Sequence, residues 1–139
     1  MIAVRGKAPI HLTAEIATSK AQQEAGLMFR KNIGDTDGMV FPMLPPRTVS
    51  FWMKDTLIPL DLIFVGTDGS IAMIAPQAKP RSLVPMSTGT PVSGVLELAG
   101  GRAAQLGLRE GDHIAWGACA VTSNQPPSPL DPMNFCPSR

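Results

Sequence analysis

Polar and apolar residues alternate along 11–17 (HLTAEIA), the period of a strand with one buried face. The pattern then changes. Ser19 followed by Gln22 makes a capping box, and Ala21, Ala25 and Met28 recur at helical spacing, so a helix is predicted to start there. Gly26 argues that this helix is short, and 32–38, with Gly34, Asp35 and Asp37, is predicted to be a loop. Segments of β character follow at close intervals: GMVFPM (38–43), VSFWM (49–53), LDLIFVG (60–66) and SIAMIA (70–75). Pro45-Pro46 and Asp55-Thr56 are expected to break the chain between them, and Thr67-Asp68-Gly69 to make a tight hairpin turn. A polar stretch with Pro and Gly spans 76–91. Beyond it lie another strand, VSGVLEL (92–98), one or two helical turns within 101–108, and a last strand, HIAWG (113–117).

Closely spaced short strands with one or two short helices predict a mainly β fold, an antiparallel β-sandwich or barrel. The 139 residues suit one core rather than two, so 1–121 is expected to be a single globular domain. From 122 to 139 the chain is rich in proline (Pro126, Pro127, Pro129, Pro132, Pro137), which predicts an extended tail that adds little core. There is no internal repeat.

Composition narrows the function classes. With 44% hydrophobic and 17% charged residues the chain is expected to fold rather than stay disordered. Twelve basic residues nearly cancel eleven acidic ones, and no basic run gathers, which speaks against nucleic acid as the partner. No window approaches the length of apolar sequence that a membrane span needs. The start, MIAVRGKAPIHLTAEIA, has no unbroken hydrophobic stretch after its positive charges, so it does not read as a signal peptide; a mature form with its signal removed and a cytoplasmic protein remain alternatives. The two cysteines, Cys119 and Cys136, are too far apart for a CxxC motif, which leaves free thiols in a reducing compartment or one disulfide.

Candidate chemistry centres on SFWMKDTLIPLD. With a period of two, Val49, Phe51 and Met53 share one face of the segment, and Ser50, Trp52 and Lys54 the other. Asp61 sits among Leu60, Leu62 and Ile63, where a carboxylate is costly unless it finds a partner. Lys54, Arg47 and the N–H groups of the 55–57 turn are the partners nearest in sequence. As a structural group Asp61 pins a strand. As a functional group it joins Trp52, Lys54, Asp55 and Arg47 at a ligand site, where ring stacking and carboxylate hydrogen bonds would suit a carbohydrate. An acid–base pair of Asp55 and Asp61 lacks any surrounding glycosidase pattern.

Other chemistries find less support. Eight methionines in a chain without tyrosine raise the thought of copper, but Met28, Met39, Met43, Met53 and Met73 all lie in apolar segments, where methionine fills core. His11 and His113 are isolated, so neither metal nor cofactor is expected. There is no GxSxG elbow, Walker loop or GxGxxG. Glu97, within VLEL, is expected to face solvent or pair with an arginine.

GLMFR (26–30), GMVF (38–41), SFWMKDTLIPLDLIFV (50–65) with Asp68-Gly69, VLEL (95–98) and LGLREGD (106–112) together resemble the domain of unknown function 192. The resemblance runs from about residue 12 to 117, and the long central block is its most specific part. A local likeness of GRAAQLGLREGDHI to part of a PDZ domain would leave that block unexplained. The family resemblance implies a compact, mostly antiparallel β domain and frequent export, and no assigned activity, so no catalytic residue carries over. Export would favour the Cys119–Cys136 disulfide and an extracytoplasmic location. The function expected is a non-catalytic ligand-binding or accessory domain acting as a monomer. The alternatives are an enzyme of unassigned type acting on cell-envelope material, or a structural, protein-interaction module.

Overall fold

The computed structural model of the chain describes residues 2–4, 10, 12–34 and 36–117. The Pro-rich tail, both cysteines and His11 lie outside the described residues. Nine elements follow one another: β1 (Ile2–Val4), β2 (Thr13–Ile16), α1 (Lys20–Ala25), β3 (Asp37–Arg47), β4 (Leu60–Gly66), β5 (Ile71–Ala78), β6 (Val92–Ala99), α2 (Arg102–Gln105) and β7 (Ile114–Trp116).

Five strands form one sheet in the order β2-β3-β6-β4-β5, and β1 pairs with β7 in a separate two-stranded sheet. The fold is mainly β with two short helices, as the strand spacing predicted. Two details differ from an all-antiparallel barrel: β2 runs parallel to β3, and the sheet is open. The parallel pair arises because the connection from β2 passes through α1 before β3 returns in the same direction.

β4 and β6 lie inside the sheet, and their residues are buried at nearly every position of both parities. That follows from two apolar layers. One face carries Val40, Ile63, Val65, Leu96 and Leu98, covered by Ile2, Val4, Ile114 and Trp116 of the small sheet. The indole of Trp116 comes close against the backbone at Gly94: a Cβ there would stand 2.8 Å from Trp116 Cη2, so only glycine admits the ring. The opposite face carries Met39, Phe41, Leu62, Phe64 and Val95, covered by Leu27, Phe51 and Met53. Phe51 meets Phe41 and Phe64 edge-on, with centroids 5.1 and 6.0 Å apart. Met39, Met43 and Met53 are buried here as packing groups.

Three sequence expectations need correction. β3 does not stop at Pro45-Pro46; it runs on to Arg47, with its pairing to β6 shifted between Pro42 and Arg47, where prolines have no N–H to give the ladder. The segment 49–53 is not a strand of the sheet but an extended ribbon, joined to 82–86 by the Phe51–Met86 bridge and by Met53 N–H donating to Ser82 O at 2.9 Å. Its two-faced alternation survives: Phe51 and Met53 point into the core and Trp52 outward. β1 was not expected, because three residues are too short to show a period.

Candidate functional site

α1 begins as the sequence required. Ser19 accepts from Gln22 N–H at 3.0 Å, and the Gln22 side chain accepts from Ser19 N–H at 3.1 Å, a complete capping box. None of its six residues is buried, so the helix packs little core and stands as a wall. The facing wall is the 47–56 segment, and between them lies a cleft of about 1140 Å³. The walls are tied at two points. Arg47 Nη2 donates to Gln23 Oε1 at 2.9 Å, and Phe29 N–H donates to Asp55 O at 2.8 Å. Gln23 in turn donates to the carbonyls of Ala17 and Pro42 at 3.0 and 2.8 Å, which seats the helix on the sheet.

Four of the five residues singled out in sequence come together here: Arg47, Trp52, Lys54 and Asp55 all line this cleft. Trp52 is 48% exposed, and Lys54 Nζ sits 5.3 Å from its ring centroid, a cation–π contact. Asp55 takes a left-handed backbone (φ 55°) in a turn closed by Thr56 N–H to Met53 O at 3.1 Å. Asp tolerates that conformation better than most residues.

Asp61 is elsewhere. It is fully buried on the face of β4 away from the cleft, and its partners are not those nearest in sequence. Its Oδ1 accepts from the N–H groups of Gln77 (2.7 Å) and Gly101 (3.0 Å), and its Oδ2 from that of Ala103 (2.7 Å). One carboxylate thus joins β4, the end of β5 and the start of α2. Neither Lys54 nor Arg47 takes part.

The residue that sequence reasoning misplaced is Glu97. It neither faces solvent nor pairs with an arginine; it is 5% exposed on the cleft face of β6, opposite Met39 on one side and Leu62 on the other. The carboxyl borders the floor of the cleft beside Phe41 and Gly26. Gly26, with φ 47°, carries the chain across this spot: a Cβ there would stand 3.3 Å from Phe41 Cζ and 3.6 Å from Glu97 Oε1. No described residue gives the carboxyl a hydrogen bond or a counter-charge, and burial alone pushes its pKa up to about 8. At neutral pH Glu97 is therefore mostly a protonated carboxyl, with an O–H to donate into the cleft. A signal was present in the sequence. Val95, Leu96 and Leu98 are apolar on both parities, the mark of a strand covered on both faces, so any polar member had to be inside.

Among the described residues no three His, Cys, Asp or Glu side chains gather to hold a metal ion, and no helix is long and apolar enough to cross a membrane.

The fold is an open, mainly β sheet with a walled cleft on one face. The model of DUF192, an uncharacterized ACR, matches residues 2–116, and the chain belongs to that family. Two solved structures are similar. A protein of unknown function from Novosphingobium aromaticivorans DSM 12444 shares 43% identity at a TM-score of 0.77, over 83% of each chain. A protein from Sinorhizobium meliloti 1021, whose name suggests a transcription regulator, shares 40% identity at a TM-score of 0.71, over 74% of this chain and 80% of its own. No curated protein matches.

Proposed function

We propose that the domain is a binding module that takes a small hydroxylated ligand, a carbohydrate in the first instance, into the cleft between α1 and the 47–56 segment. One observation carries this: an unpartnered, buried carboxyl borders the floor of an open cleft whose wall presents an exposed tryptophan. The carboxyl has no hydrogen-bond partner among the described residues and keeps a small opening toward the cleft, so a bound ligand could take the place of water as its partner. Trp52 offers a ring face for the apolar side of a sugar, and Arg47, Lys54 and Asp55 offer polar contacts around it.

The test is a thermal-shift screen of sugars and sugar acids against the wild type and Trp52→Ala. A specific ligand raises the melting temperature in proportion to its excess over Kd. Stabilisation of the wild type but not of Trp52→Ala is the expected result. Equal stabilisation of both would move the site away from the cleft.

A catalytic reading has one observation of its own, because a carboxyl held protonated near neutral pH in an apolar cleft is suited to general-acid work. Turnover of a ligand found in the screen, abolished in Glu97→Gln, would favour it. The remaining proposals concern the whole chain: a monomeric domain over 1–121 with a tail from 122, an extracytoplasmic location, and no nucleic-acid partner. The near balance of 12 basic and 11 acidic residues supports the last of these.

A further inference from the structure

We propose that the ligand of this cleft is a hydroxylated acid, and that its carboxylate shares the proton of Glu97 while Arg47 and Lys54 balance its charge. This deepens the binding reading above and rests on it. Glu97 is flanked by Met39 and Leu62 on the neighbouring strands and lies beside Phe41, so no side chain there takes its O–H, and a ligand acceptor that reaches the floor meets that donor. The acceptor most able to hold that proton is a carboxylate, since hydrogen bonds to an ionised acceptor are the strong ones.

The charges around the cleft agree. From α1, Lys20 and Glu24 face each other at 3.9 Å and cancel. From β3 and the ribbon after it come Arg47, Lys54 and Asp55. Neither Arg47 nor Lys54 has a carboxylate partner among the described residues: Arg47 spends its donors on Gln23 and Met43, and Lys54 lies over Trp52. With Glu97 neutral, two cations against one anion leave the cleft one positive charge in excess. Asp61, on β4, serves the other face of the sheet and adds nothing here.

The coupling fixes a sign. Above the Glu97 pKa of about 8 the floor becomes an anion, and an acid ligand would then meet a like charge in an apolar setting. Affinity for the acid should therefore fall by up to about tenfold per pH unit above that point. A neutral sugar loses only a hydrogen bond and should respond far less.

Calorimetric titration of the full chain decides this, with galacturonate, glucuronate and gluconate set against galactose and glucose, from about pH 6 to about pH 9. The expected result is binding of the acids, weakening as pH rises, with the neutral sugars weaker throughout. Glu97→Gln keeps a donor that cannot ionise, so it should bind the acids with a flat pH profile, with circular dichroism as the check that it folds. Arg47→Ala should weaken the acids more than the neutral sugars. Neutral sugars binding as well as the acids, with no pH dependence, would overturn the acid preference and leave the binding cleft standing. An unchanged pH profile in Glu97→Gln would overturn the role of its proton. Binding of neither class would overturn both readings.

Discussion

Asp61 and Glu97 stand one register step apart on paired strands and point to opposite sides of the sheet: Asp61 lies opposite Leu98, and Leu62 opposite Glu97. Both acids are buried, Asp61 completely and Glu97 to 5% exposure, and they are oppositely served. Asp61 has three backbone donors within 3.0 Å, whereas Glu97 has none. Burial of a carboxyl costs several kcal/mol unless hydrogen bonds or charge compensate. The protein compensates one acid completely and leaves the other for the cleft. On the proposed reading, that contrast separates a structural group from a ligand-binding one.

Truncation of Asp61 to Ala leaves three buried N–H groups without an acceptor and should cost on the order of 3 kcal/mol in urea denaturation. Ligand binding by the folded fraction should be unaffected. An unchanged melting temperature with loss of binding would instead put Asp61 in the site.

Glu97 predicts the reverse. Its folded pKa, about 8, lies above the ordinary 4.5, so the native state holds a proton that the unfolded chain releases between those values. Stability from this residue is thus complete below about pH 4.5 and is lost as pH rises toward about 8, at up to about 1.4 kcal/mol per pH unit. Glu97→Gln removes that dependence. The variant should gain on the wild type steadily across this window, and a wild-type gain with rising pH would contradict the placement of the carboxyl.

Trp52 packs no core, so Trp52→Ala should change stability by no more than about 0.5 kcal/mol while lowering ligand affinity at least about tenfold. Fluorescence offers a direct readout, because the other tryptophan, Trp116, is buried on the far face. Ligand should shift the emission of the wild type and of Trp116→Phe, but not of Trp52→Phe.

Cys119 and Cys136, outside the described residues, are proposed to be bonded to each other. Thiol titration of the denatured chain without reductant should then find no free sulfhydryl, and reduction should cost roughly 3 kcal/mol. Two free thiols would mark a reducing compartment and weaken the extracytoplasmic proposal.

The sequence was most readable where local chemistry decides the structure. The Ser19–Gln22 cap, the hairpin around Asp68-Gly69 and the alternation of Phe51, Trp52 and Met53 were all visible in neighbouring residues. It was least readable where distant segments decide. The donors to Asp61 come from 16, 40 and 42 residues away, and no local pattern could select them over the nearer Lys54. Glu97 is a mixed case: the apolar neighbours of its own strand marked it as covered, but β3, β4 and the Gly26 crossing that surround it come from elsewhere in the chain. The cleft was found through its exposed wall, and its floor only in three dimensions.

The pairing of Ile2 with Trp116 has a consequence for how the domain closes. The small sheet joins the two extremes of the described chain, so its formation must wait for the longest loop in the molecule to be drawn shut. Yet that sheet is the cover of a whole apolar layer, from Val40 to Leu98. Folding should accordingly end with a latch rather than begin with a nucleus there. Loss of β1 or of β7 would open the face opposite the cleft and expose core, so the two strands guard each other.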